Sequence, residues 1–205
     1  MENNSELTAE RSLEIIKKQI EQSRKTIEKN SGMPMVIWGA LVCVTALIVG
    51  HLWRVTENAN WNLLWFVMAI IGWGYMVWTS RKEKSNRMPK TFVSQVIGNV
   101  WFAFGIFASI LPILMFVIAP LFADSHVLGY GYTPLIIVLL GLATTATGMI
   151  LKSGWMTAGS IIGGLAGFVC AILFKGPYEM MVLAGVSAVM LLIPGIMINR
   201  RKDYV

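Results

Sequence analysis

The chain has 205 residues, of which 56% are hydrophobic and only 14% charged, and its formal net charge is +6. A soluble domain carries roughly 25% charged residues. Here the deficit is gathered into runs of about 20 apolar residues, the length that crosses a ~30 Å hydrocarbon layer at 1.5 Å per residue. An ordinary soluble domain is excluded, and the pattern predicts an all-α polytopic membrane protein: six transmembrane helices preceded by an amphipathic cytoplasmic helix.

Residues 1–32 form that leading helix in this reading. Between residues 8 and 30, Leu13, Ile16, Ile20 and Ile27 recur at spacings of 3, 4 and 7, with Ser23 in the remaining seam position. That is the period of one helical face. Glu14 precedes Lys18 by four residues and Glu21 precedes Lys25 by four, a favourable ladder of ion pairs. Six acids balance six bases within residues 1–30, whereas a helix built to lie on anionic lipid carries an excess of bases. Two readings lead, with a helix lying on the membrane surface as a third. The helix packs on the cytoplasmic ends of its own spans, or its seam docks a protein partner or a second copy. Gly32 and Pro34 predict a break at residues 31–33, so that this helix and the first span meet at an angle.

The six spans are predicted over residues 34–53, 61–78, 92–117, 134–151, 155–174 and 178–198, within a bundle covering residues 33–199. Residues 200–205 are the tail. The third region is awkward, because residues 92–122 are too many for one upright span and too few for two. A tilted or kinked helix containing Pro112 is expected, with a re-entrant tail at residues 119–122 as the alternative. No short apolar segment with a cleavage site precedes the first span, so that span is expected to act as an uncleaved signal-anchor. Glu2 after the initiator and the absence of a terminal prenylation Cys leave no lipidation motif.

The basic residues explain the net charge by position. With the N-terminus in the cytoplasm, six precede the first span and five lie at residues 81–90. Lys152 and then Arg200, Arg201 and Lys202 bring the inside to 15. The outside receives Arg54 and Lys175. Such asymmetry places both termini inside, and no nucleic-acid partner is expected. Tryptophans and tyrosines near the span ends read as interfacial belts: Trp53, Trp61, Trp65, Tyr130, Tyr132 and Tyr178 outside, and Trp38, Trp78, Trp101 and Trp155 inside.

The last three spans are rich in small residues. Gly159, Gly163 and Gly167 recur at four-residue spacing, a glycine zipper that predicts close helix packing. The fourth span offers Gly141 and Gly148, and the sixth offers Ala184, Gly185 and Ser187, as matching small faces. Met33-Pro34 and Thr133-Pro134 begin the first and fourth spans alike, too short a match to argue an inverted repeat.

Chemistry is sparse. No charged residue falls at the middle of a predicted span, where ion-coupled transporters place one. Gln95, Asn99, Thr144, Thr145 and Thr147 are the residues that could line a polar cavity or hydrogen-bond across helices. Cys43 and Cys170 read as packing residues, and no metal-ligand spacing occurs. A pairing of His51 or His126 with Asp124 is conceivable on the outer side, but a solvated loop there, including Lys175 and Glu179, is the simpler reading. No catalytic motif is present, so no enzyme activity, cofactor or metal is expected.

Ser12-Leu13-Glu14-Ile15-Ile16, Arg24-Lys25, Asn30-Ser31-Gly32-Met33-Pro34 and Ile37-Trp38-Gly39 resemble the opening of a group of small uncharacterised bacterial inner-membrane proteins. The resemblance covers about the first 40 residues. It implies a bacterial inner-membrane location and carries no activity with it. The expectation is a non-enzymatic regulatory, sensory or scaffold subunit, with a small transporter or channel subunit for an uncharged or lipid-like solute as the alternative. Its partners would be the bilayer and a cytoplasmic or membrane protein received by residues 8–30, with a homo-oligomer also open.

Overall fold

The computed structural model describes residues 2–82, 92–115 and 131–200, which are almost wholly helical with no strand among them. Six stretches are long and apolar enough to cross a bilayer: Gly32–Thr56, Ala59–Thr79, Gln95–Ile113, Tyr132–Ile150, Gly154–Leu173 and Pro177–Arg200. The third helix is α-helical over Phe92–Ile113 and holds Pro112 inside it, while its expected end at residue 117 lies outside the described residues. The proposed re-entrant tail at residues 119–122 lies outside the described residues.

The expected break after residue 30 does not occur. Helix α1 (Glu2–Thr56) runs for 55 residues and carries Pro34 inside it. The reason lies in what faces Gly32. A Cβ there would stand 3.1 Å from the Gly195 carbonyl oxygen and 3.2 Å from the Asn199 amide nitrogen. Gly32 is therefore a crossing point between backbones, not a helix terminator. Pro34 costs a backbone hydrogen bond, a loss that packed neighbours let membrane helices tolerate.

The same seam continues outward. A Cβ at Gly39 would lie 2.8 Å from the Leu192 amide nitrogen, and one at Gly50 would lie 2.9 Å from Met180 Cβ. Ala46 and Val49 are completely buried between them. Positions 32, 39 and 46 follow a seven-residue repeat of small residues, which keeps one face of a helix on its neighbour. The sixth span runs antiparallel to α1 along this seam. It comprises α6 (Pro177–Ser187), a π-helical turn (Ala188–Leu192) and α7 (Ile193–Arg200). Within the turn the Ile193 N–H donates to the Ala188 carbonyl, five residues back. This wider turn makes room for Pro194, whose ring would otherwise crowd the preceding turn. It delivers Gly195 to α1, where a Cβ would come within 2.8 Å of the Val36 nitrogen.

A second tight pair is the hairpin of α4 (Tyr132–Ile150) and α5 (Gly154–Leu173). Its turn is three residues long, with Lys152 at φ 52°. A Cβ on Gly141 would sit 3.0 Å from Gly164 Cα, and one on Gly148 would sit 2.9 Å from the Thr157 nitrogen. The core lies among α1, α4, α5 and the sixth span, with Ile137, Met156, Met190 and Leu191 essentially inaccessible.

Helices α2 (Leu64–Lys82) and α3 (Phe92–Ile113) stand at the periphery. Within the most apolar window of each span, 50% of residues are buried in the fourth and sixth but only 6% in the second and third. Gly72 seats α2 on the Trp38 ring of α1. Helix α3 leans on α4, where the Tyr132 hydroxyl donates to the Ala108 carbonyl at 2.6 Å.

These contacts sort the glycines by consequence. Gly39→Leu must displace backbone and is expected to cost about 1–3 kcal/mol or more. Gly185, whose side-chain direction is open, should accept leucine with a change of about 0.5 kcal/mol or less. Thermal unfolding in one detergent compares the two, and equal melting temperatures would contradict the seam.

Candidate functional site

The seam residues of the N-terminal helix stand free of the bundle. Leu13 is 67% exposed, Ile16 52% and Ile20 56%. All ten residues from 11 to 20 are exposed, so this stretch does not pack on the ends of the spans. The side chain of Ile27 lies outside the described residues. Because α1 is continuous, these residues project from the bundle on the same rod that forms its first span.

The five polar residues considered for a cavity do not converge. Thr144 is fully buried and donates to Leu140 O at 2.8 Å, with Gly141 O at 3.1 Å. Thr147 is also buried and donates to Ala143 O at 2.8 Å. These hydroxyls satisfy carbonyls of their own helix and line no path. Thr145 is half-buried, while Gln95 and Asn99 lie exposed on α3.

The glycine stripe divides. A Cβ at Gly167 would strike Val186 Cγ2, and one at Gly163 would come 3.0 Å from Met190 Cγ. Gly159 meets nothing within 4 Å, so this part of the expectation fails. It instead lines a shallow apolar groove of about 170 Å³ with Trp155, Met156, Val189 and Pro194 among its walls. The buried stripe of α5 is rotated slightly from the zipper and runs through Met156, Ser160, Gly164, Gly167 and Ala171. The hydroxyl of Ser160 has no hydrogen-bond partner there.

Glu179 was expected in a solvated outer loop, and the structure corrects this. It is only 7% exposed and is the one buried charged side chain among the described residues. Its Oε1 accepts from the Gly176 N–H at 3.1 Å, while its own N–H donates to Gly176 O at 3.0 Å. Gly176, at φ 75°, is the N-cap of α6. The carboxylate also lies against Gly131, the N-cap of α4, where a Cβ would stand 2.6 Å from Oε2. It therefore sits at the N-termini of two parallel helices, whose free N–H groups carry partial positive charge. Gly176-Pro177-Tyr178-Glu179 held the signal, since Pro at the first helical position and Glu at the third mark a helix start.

Cys43 and Cys170 are free and half-buried, and His51 is exposed on α1. Asp124, His126 and Tyr130 lie outside the described residues. Among the described residues no three His, Cys, Asp or Glu gather to hold a metal. No protein-family model, curated protein or solved structure matches this chain.

The Glu179 arrangement predicts a graded response. Glu179→Ala removes the acceptor that joins two helix ends and should cost about 1–2 kcal/mol. Glu179→Gln keeps an acceptor for the Gly176 N–H and should lose less than Glu179→Ala. Unfolding midpoints in detergent test the order, and a glutamine variant as unstable as the alanine one would reject the capping account.

Proposed function

We propose that this chain is a non-enzymatic membrane subunit that works through protein contacts, as a regulatory, sensory or scaffold component. The observation that carries the reading is the apolar seam of α1. Leu13, Ile16 and Ile20 face outward on a helix that does not fold back on its own bundle. Exposed side chains at a, d and a spacings are anchors for a second helix. The position flanking the seam is basic in both repeats, Lys17 and Arg24. The complementary partner is an amphipathic helix with acidic residues along its rim.

The interior supports the same choice over a transport path. The buried threonines of α4 turn their hydroxyls to their own carbonyls, and the spans around them close through backbone contacts. The location proposed is a bacterial inner membrane with both termini cytoplasmic, on the strength of the basic-residue asymmetry and the resemblance of the first 40 residues. In this orientation α1 presents its seam to the cytoplasm and Glu179 lies near the outer face.

Two measurements test the proposal. Single cysteines at Ser85 and Asn60, in a background lacking Cys43 and Cys170, should differ towards an impermeant thiol reagent added from outside. Asn60 should react and Ser85 should be protected, and the reverse would overturn the orientation. Ile16→Asp combined with Ile20→Asp should leave insertion intact, since the spans retain their own hydrophobic signal. It should abolish a co-purifying complex, because unpaired charge is not tolerated in a helix seam. A partner retained by the double variant would sink the docking role, and a variant that fails to fold would return the helix to the bundle's own cap.

A further inference from the structure

The contact between α5 and the sixth span is closed along part of its length and open at one end. Gly167 lies against Val186 and Gly163 against Met190, so the two helices pack antiparallel and tightly there. One turn further along, Gly159 meets nothing within 4 Å, and the helices part into the groove of about 170 Å³. Met156 and Pro194 are buried at its floor, while Trp155, Ile193 and Met197 stand exposed along its rims. The lining is almost wholly apolar. It lies within the apolar spans Gly154–Leu173 and Pro177–Arg200. Water finds no set of polar partners in such a place, and an empty groove would forfeit packing contacts. Its depth and its lining call for hydrocarbon.

The charges at the open end call for a headgroup. Ile193, Met197 and Arg200 recur at spacings of 4 and 3, so they share one face of α7. Arg200 thus continues the rim of the groove, about 4.5 Å of helical rise beyond Met197. The antiparallel packing brings Lys152, in the turn before α5, to nearly the same level. Both side chains are exposed, and among the described residues neither meets a carboxylate. Long cationic arms at a span end reach the phosphate layer, and basic pockets between spans hold anionic headgroups. We propose that this groove seats one acyl chain of an anionic phospholipid, with the lipid's phosphate held by Arg200 and Lys152. A guanidinium pairs with two phosphate oxygens at once, and the ammonium adds a second charge. A zwitterionic lipid has the same tail but brings its own cation to the site, so the two basic residues discriminate against it. The inference is independent of the docking role of α1.

The test uses the full chain in phosphatidylcholine vesicles containing a trace of phosphatidylglycerol with a diazirine in one acyl chain. After irradiation, adducts are mapped by peptide mass spectrometry and compared with those from phosphatidylcholine carrying the same diazirine. The phosphatidylglycerol probe is expected to label residues 155–159 and 189–197 more than it labels α2 and α3, and more than the phosphatidylcholine probe does. Arg200→Gln should lower groove labelling by the phosphatidylglycerol probe about 5-fold, the worth of one cation near anionic lipid, and leave the phosphatidylcholine probe unchanged. Gly159→Leu fills the groove from a position with open space and should lower labelling there by both probes. Equal groove labelling by the two probes would reduce the site to unspecific boundary lipid and overturn the proposal. So would labelling no higher than on α2 and α3, or labelling indifferent to Arg200→Gln. A groove silent to both probes would overturn it in favour of a protein occupant. If Gly159→Leu does not fold, the comparison of the two probes on the unmodified chain decides alone.

Discussion

In hydrocarbon, two apolar helices gain little by hiding side chains from a solvent as apolar as themselves. What favours their contact is close packing of backbone on backbone, and this needs residues without bulk. The crossing of α1 with the sixth span meets that need at Gly32, Gly39 and Gly50, each lying where a Cβ would touch the opposing helix. The π-helical turn over Ala188–Leu192 belongs to the same arrangement. It absorbs Pro194 and lets Gly195 reach the backbone of α1. The α4–α5 hairpin repeats the principle, with Gly141 and Gly164 back to back.

A bundle built this way has an unequal distribution of constraint. Four spans share the interior, while α2 and α3 lean against it with most of their surface outward. The inner four are held by contacts that no larger residue can imitate. The outer two are held by a few larger ones, such as Trp38 over Gly72 and the Tyr132 hydroxyl on Ala108. Sites that engage other molecules are therefore expected at the periphery and on the projecting part of α1. The interior answers to stability, and this is why the buried threonines of α4 are spent on their own helix.

Much of the architecture was legible because lipid imposes a length and a composition on every span. The six spans and the importance of small residues both follow from that. What could not be read was which face a small residue serves. Gly32 beside Pro34 looks like punctuation, because the same pair ends helices in water; only the position of Gly195 shows it to be a crossing. Gly159, Gly163 and Gly167 are evenly spaced, yet a helix turns 100° per residue, and the buried line runs through Ser160 and Gly164 to Gly167, leaving Gly159 to one side. Glu179 was misplaced for a related reason. Its charge suggested solvent, although the Gly-Pro-x-Glu order already described a carboxylate folded back on a helix start.

The continuity of α1 ties the projecting seam to the interior. With a flexible joint at residue 32, an event at Ile16 or Ile20 would be absorbed before it reached the membrane. The joint is instead helical and is clamped against Gly195 and Ile198. A partner that tilts or turns the outer segment acts on a lever whose other end lies in the seam with the sixth span. That seam has little slack, because at Gly39 the opposing atoms are the backbone of Leu192 and not the end of a flexible side chain. Displacement there must move α1 and the sixth span together or separate them. The sixth span carries its irregular π turn at this same level, and such a turn can shift its register at lower cost than a regular helix. The π turn is thus the element through which a contact made on the projecting part of α1 would alter the bundle, and its position opposite Gly39 follows from the packing and not from any partner.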